Sequence, residues 1–121
     1  MATVLIVDDS TAHLYSLSKL VEVNGHEVIT AQSGQEGVDK AMKNQPDVIL
    51  MDIVMPGMSG FQATRALSKA QNTSNIPIIF VTTKNQETDK IWGMRQGATA
   101  YITKPVDEKA LLSAINNALA A

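Results

Sequence analysis

Thr3-Val-Leu-Ile-Val-Asp-Asp9 and Asp47-Val-Ile-Leu-Met-Asp52 repeat one pattern, an unbroken aliphatic run stopped by a carboxylate. A strand with one wet face alternates polar and apolar residues; these runs do not, so each reads as a strand covered on both faces. Ile76-Pro-Ile-Ile-Phe-Val81 is a third such run, with Pro77 tolerable at its start. Elsewhere helical spacing takes over. From Thr11 to Asn24, apolar residues recur at Leu14, Leu17, Leu20 and Val21, and Gly25 stands where a left-handed cap belongs. Ser33 caps a helix from Gly34 to about Asn44, which Pro46 ends. A helix from about Gly60 to Ala70 offers Phe61, Ala63, Thr64 and Leu67 as core contacts, and one from about Gln86 to Gln96 stops at Gly97. Asp107 caps a last helix, from about Glu108 to Ala120. Glu27-Val-Ile-Thr-Ala31 and the segment centred on Tyr101-Ile102 are shorter, more polar strands.

Five strands thus alternate with five helices through short connections, which makes the fold class α/β with a doubly wound parallel sheet. The three apolar strands belong in the centre and the two polar ones at the edges, so the expected order is 2-1-3-4-5. The 121 residues suit one domain, 1–121, with no output domain expected. Area scaling gives roughly 6,300 Å² folded against roughly 19,000 Å² unfolded, enough burial for a core without staples. Hydrophobic residues make up 45% and charged residues 18%, a globular balance. Ten Lys and Arg against twelve Asp and Glu leave a net charge of −2, which argues against direct nucleic-acid or membrane binding. There is no Cys, so disulfides, thiolate metal sites and a Cys nucleophile are excluded. The longest strongly apolar run, Ile76 to Val81, is far too short to span a membrane, and the N-terminus lacks the form of a signal peptide. A cytoplasmic location is the expectation.

In such a sheet the loops at the carboxyl ends of the strands share one edge, and ligands bind where the strand order reverses, between strands 1 and 3. Asp8 and Asp9 follow strand 1, Asp52 follows strand 3, Thr82 and Thr83 follow strand 4, and Lys104 follows strand 5. Three carboxylates brought close together raise one another's proton affinity unless a counter-charge intervenes. Lys104 and a divalent cation would supply it. An all-oxygen donor set favours a hard ion such as Mg²⁺. A carboxylate beside that ion and an ammonium can attack a phosphoryl group to give an aspartyl phosphate, with a Thr82 hydroxyl donating to the phosphoryl oxygens. Position makes Asp52 the nucleophile and Asp8 and Asp9 metal ligands, directly or through water.

Leu5-Ile-Val-Asp-Asp-Ser10, Leu50-Met-Asp-Ile-Val-Met-Pro-Gly-Met-Ser-Gly60, Val81-Thr-Thr83 and Tyr101-Ile-Thr-Lys-Pro105 follow one another at a characteristic spacing. Through them the whole chain resembles the response-regulator receiver domain of the CheY type, with its flavodoxin-like sheet. The resemblance implies that Asp52 is the phosphoacceptor for a partner's phosphohistidine, and that Mg²⁺ is held by Asp8, Asp9, Asp52 and the backbone carbonyl of Val54. It implies a switch in which the Thr82 hydroxyl moves toward the phosphoryl group and Tyr101 turns inward, and a cis bond between Lys104 and Pro105. Thr82 is preferred to Thr83 on the family motif alone. Val54 and Lys84 stand where the phosphoryl lifetime is tuned, and Val106 replaces the commoner Phe. More narrowly, the stretches from Met51 to Arg65 and from Val81 to Gly97 are similar to the PilH-type regulators of type IV pilus, or twitching-motility, chemosensory systems. That likeness implies a chemosensory histidine kinase as donor and a pilus-associated protein as target.

The leading expectation is therefore a single-turnover phosphoacceptor, not an enzyme in the usual sense, that can catalyse its own phosphorylation and dephosphorylation. It would signal by a conformational shift of helix 4, strand 5 and helix 5 that partners distinguish. Lys90, Met94 and Tyr101 are the expected partner face. The alternatives are a phosphate sink, a phosphorylation-independent adaptor and a multiple-turnover phosphatase; the last has no second acid–base carboxylate beyond Asp8 and Asp9. A flavin-binding relative is disfavoured because anions open the loop after strand 1. His13 and His26 are expected in surface roles, away from the carboxylates, and Trp92 is expected to pack. Gly57 and Gly60 are assigned to loop geometry.

Overall fold

The computed structural model describes residues 1–121. Its strands are β1 (Thr3–Val7), β2 (Glu27–Ala31), β3 (Val48–Met51), β4 (Ile78–Thr82) and β5 (Ala100–Thr103). Its helices are α1 (Thr11–Val23), α2 (Gly34–Asn44), α3 (Gly60–Lys69), α4 (Glu87–Arg95) and α5 (Glu108–Ala120). All strand pairs are parallel, and the order is β2-β1-β3-β4-β5, as the apolar runs required. The accessible surface is 6277 Å², the value expected for a folded chain of this mass.

The continuous aliphatic runs are explained by two cores, one on each side of the sheet. Alternate residues of a strand point to opposite faces. Leu5 and Val7 of β1, Ile49 and Met51 of β3, and Ile78 and Phe80 of β4 pack with Val38 and Ala41 of α2 and Ala63 and Leu67 of α3. Val4 and Ile6, Val48 and Leu50, and Ile79 and Val81 pack on the other side with Leu14, Leu17 and Val21 of α1 and Leu111 and Ile115 of α5. A polar residue within Val4–Val7, β3 or β4 would therefore be buried whichever way it pointed.

The helices stop where local chemistry stops them. Ser33, Ser59 and Asp107 each accept a hydrogen bond from the backbone three residues on, and the Ser59 amide donates in turn to Gln62 Oε1. After α1 the chain turns at Gly25, whose φ of 91° is accessible to glycine at no steric cost. Some boundaries differ from the sequence reading. β4 begins at Ile78, leaving Ile76 and Pro77 before the strand, although the Pro77 carbonyl still accepts from the Ile49 amide. β3 begins at Val48, with Asp47 just before it: the Asp47 amide donates to Thr3 O at 2.9 Å and its carboxylate accepts from the Thr3 amide at 2.8 Å.

Trp92 departs from expectation and Thr64 meets it at a cost. Trp92 does not pack into the core: it is 46% exposed, because α4 lies on the sheet through Gly93 alone. Thr64 does face the core, but its Oγ1 has no hydrogen-bond partner. An unpaired buried hydroxyl costs more than it contributes. Thr64→Val keeps the shape and removes the orphan, and its unfolding midpoint in urea should correspond to a gain of about 1 kcal/mol. A loss instead would mean that the hydroxyl has a partner.

Candidate functional site

The backbone ladder runs past the strand ends and so fixes where the polar residues stand. The Asp8 amide donates to Ala31 O at 3.0 Å and the Asp52 amide donates to Val7 O at 2.9 Å. Val7 pairs with Met51, so Asp8 and Asp52 leave the sheet side by side. On the far side Thr82 pairs with Thr103, and the Lys104 amide donates to Thr82 O at 2.7 Å. Asp8 and Asp52 fall on the alternation that carries Val4, Ile6, Val48 and Leu50, the face covered by α1 and α5. Lys104 falls on the alternation of Ala100 and Ile102, on the same face. These three side chains meet because strand parity sends them the same way.

The Lys104 ammonium lies 2.7 Å from Asp8 Oδ2 and 3.5 Å from Asp52 Oδ2, with all three side chains nearly buried. Asp9 is exposed, yet a carboxylate oxygen from each of Asp8, Asp9 and Asp52 lies within 4.8 Å of the others. Backbone amides complete the setting: Ser10 donates to Asp8 Oδ1 at 2.9 Å, and Ile53 donates to Asp52 Oδ1 at 2.7 Å. Burial pushes the Asp52 carboxyl above its ordinary range, against the pull of Lys104; the Asp8 charge pushes the same way, while the Thr82 hydroxyl and the Ile53 amide oppose it. A cluster of oxygen donors with more negative than positive charge is suited to a hard divalent cation. The residues present fit Mg²⁺.

Gly60 makes the loop after β3 possible. A Cβ on Gly60 would sit 2.1 Å from the Asp52 carbonyl oxygen, so the start of α3 can close on the site only without a side chain. Gly57, at φ 74°, turns the same loop, and Val54 stands on it 55% exposed. Beyond β4, Thr82 is fully buried and Thr83 exposed, which separates the two hydroxyls. The Thr82 Oγ1 accepts from the Lys84 amide at 3.3 Å, and the Tyr101 hydroxyl donates to the Lys84 carbonyl at 2.7 Å. Tyr101 is half-buried against Phe80, and burial, with Asp89 and Asp52 nearby, pushes its hydroxyl up to about 12. The Lys84 ammonium leans toward Asp89, 3.7 Å away. Lys90 is half-buried and Met94 exposed on α4, and the Lys104–Pro105 peptide is cis.

His13 corrects the sequence reading. Its side chain is on the surface, but it is not remote from the carboxylates: Nδ1 lies 2.7 Å from the Lys104 ammonium and 3.6 Å from Asp8 Oδ2. The signal was available in strand parity, since Asp8 points to the face that α1 covers and His13 is in the first turn of α1. His26 does stand apart, at the opposite end of the sheet, where Nδ1 accepts from the Ala2 amide at 3.2 Å.

This arrangement of sheet and acidic cluster defines a class, and the family comparison agrees: residues 4–116 match the response regulator receiver domain. The chain belongs to that family. Within it, the chain is 59% identical over 120 residues to the protein PilH of Pseudomonas aeruginosa, covering 99% of each, and is its homologue. Among solved structures, a response regulator from Chloroflexus aurantiacus matches with a TM-score of 0.95 at 32% identity, over 99% of this chain and 98% of that one. The Vibrio cholerae chemotaxis protein CheY4 matches with a TM-score of 0.91 at 36% identity, over 98% and 99%. Members of this family are generally not catalytic enzymes, and no helix here is long and apolar enough to cross a membrane.

Two outcomes test the site's energetics. Gly60→Ala should cost about 3 kcal/mol or more, because backbone rather than a flexible side chain blocks the new methyl; a near-native urea midpoint would show that the loop can yield. Asp52→Asn should raise the stability of the metal-free protein at neutral pH. The sign follows from linkage: with its folded value raised, Asp52 binds its proton more readily in the native state. Native stability therefore rises as pH falls through that value, and the ionised form carries a penalty above it. The advantage of the Asn variant should shrink on acidification, and an advantage that grows would refute the assignment.

Proposed function

We propose that Asp52 accepts a phosphoryl group from the phosphohistidine of a histidine kinase and that the phosphorylated state is read by partner proteins. What carries this reading is the Asp52 carboxylate at the end of β3, nearly buried, 3.5 Å from the Lys104 ammonium and grouped with Asp8 and Asp9. A buried carboxylate facing several acceptors and one cation is poorly placed as a structural ion pair and well placed to receive a group that brings its own counter-ion. In the transfer, an Asp52 Oδ attacks phosphorus, the P–N bond breaks, and the imidazole leaves with the electron pair. Lys104 would balance the charge on the phosphoryl oxygens, and the Thr82 hydroxyl would rotate from the Lys84 amide to donate to one of them. Asp8, Asp9, Asp52 and the Val54 carbonyl would hold Mg²⁺, which when bound neutralises phosphoryl charge.

The conformational output would pass through Lys84. Its amide meets Thr82 and its carbonyl meets Tyr101, so a rotation of the Thr82 hydroxyl loosens the segment that also holds the Tyr101 ring. α4 is well suited to respond, being held to the sheet through Gly93, whose missing side chain admits Phe80 and Tyr101 to about contact distance. The partner face would then comprise Lys90, Met94 and Tyr101, with Val54 and Lys84 setting how long the phosphoryl group survives. The likeness to PilH supports a chemosensory kinase as the donor and a pilus-associated protein as the target, acting in the cytoplasm.

Intact-protein mass after incubation with acetyl phosphate and Mg²⁺ tests the reading. Wild type should gain one phosphate, Asp52→Asn none, and wild type with a chelator none. A phosphorylated Asp52→Asn would overturn the assignment of the acceptor.

A further inference from the structure

An ammonium has three N–H donors and no acceptor. At Lys104 one donor is committed to Asp8 Oδ2 and a second to His13 Nδ1, both at 2.7 Å, while Asp52 Oδ2 lies farther off at 3.5 Å. Since the ammonium cannot accept, the acceptor in this contact is His13 Nδ1. With two donors fixed, the third is directed by tetrahedral geometry rather than by the long contact to Asp52 itself. His13 and Lys104 also border a common groove. His13 lines, with Ser16, Leu17, Leu20, Lys104, Pro105 and Val106, a largely apolar groove of about 330 Å³ between α1 and the β5–α5 turn. The Lys104 side chain is only 9% exposed although it borders this groove, and the imidazole stands at its ammonium.

We propose that His13 is a positioning residue for the phosphoryl transfer assigned above: its Nδ1 anchors the Lys104 ammonium so that a free donor faces Asp52. The inference rests on that function, and on a further point of charge. Asp8 is the other anchor, and as a candidate metal ligand it has competing demands on its oxygens. His13 Nδ1 is an acceptor outside the carboxylate cluster, so it can hold Lys104 in place irrespective of what Asp8 binds. Leu at this position would keep the apolar contact with the groove and lose the acceptor. Asn would present its Oδ1 where Nδ1 now lies.

The experiment compares wild type, His13→Leu and His13→Asn by two readouts. The first is the Lys104 ammonium ¹H–¹⁵N resonance in metal-free protein, identified by its disappearance in Lys104→Met. The second is the rate of phosphorylation by acetyl phosphate with Mg²⁺. Wild type should show the ammonium resonance protected from solvent exchange; His13→Leu should lose it and be phosphorylated about fivefold more slowly, and His13→Asn should recover both. Urea midpoints of the two variants check that each is folded. An undiminished resonance and rate in His13→Leu would overturn the proposal, and so would a His13→Asn as slow as His13→Leu. If wild type accepts no phosphate, the function fails instead, and the metal-free resonance still decides whether His13 positions Lys104.

Discussion

One ammonium held among crowded carboxylates is the constraint on which this molecule is built. Lys104 reaches Asp8 from the far side of the sheet, across ninety-six residues of sequence, and neither side chain keeps more than a trace of its water. Desolvating such a pair costs several kcal/mol per ion, and the attraction offsets it only when the geometry is held. The sheet holds it. Asp8, Asp52 and Lys104 each follow a strand whose ladder hydrogen bonds continue past its end, so the backbone cannot relax the cluster apart. Shifting the register of β1 or β3 by one residue would turn Asp8 or Asp52 to the other face and take one carboxylate from the nearly buried Lys104.

That dependence explains what could be read in the sequence. The uninterrupted runs Val4–Val7 and Val48–Met51 are legible because a strand covered on both faces has no polar position to disguise it. The edge order followed from the thinner, wetter runs at Glu27–Ala31 and around Tyr101. The acidic cluster was legible for the same reason: a carboxylate straight after such a run must lie at the sheet's carboxyl edge. His13 is not legible from its distance in sequence to the carboxylates, because what brings it to them is the first turn of α1 lying over the face to which Asp8 points. Trp92 is exposed because the buried contact of α4 is made by Gly93, the smallest residue it has. Thr64 shows the converse, a polar residue within a core stripe that the pattern tolerates and the hydrogen-bonding does not.

The two cores also divide the labour of the fold. The face under α1 and α5 carries the parity that points Asp8, Asp52 and Lys104 into the site. The opposite face carries Phe80 and, packed edge-on against it, Phe61 and Tyr101. Thr82 shares the alternation of Ile78 and Phe80, and so ends β4 between the charged cluster and the aromatic row. Its hydroxyl and that of Tyr101 both terminate on Lys84, in the segment that leads into α4. Charge on one face and aromatic packing on the other are therefore joined through one residue's backbone, and a change at the cluster need not deform the sheet to reach α4.

Burial of Asp52 ties stability to use. A carboxylate kept wet would cost the fold nothing, but it would hold its charge in a high dielectric, where the ammonium beside it exerts little control. Drawing it down to 8% exposure raises its proton affinity and makes its ionised state an expense to the fold. The same desolvation would strengthen the cation and phosphoryl interactions proposed for the site, since each would act through less water. Lys104 alone cannot neutralise Asp8, Asp9 and Asp52, and Asp9 remains outside at the solvent edge. The unmodified protein is thus left with negative charge it has not compensated internally, in a cleft whose rigid backbone prevents the charges from separating. A bound cation removes that imbalance, so metal binding and folding stability draw on the same oxygens.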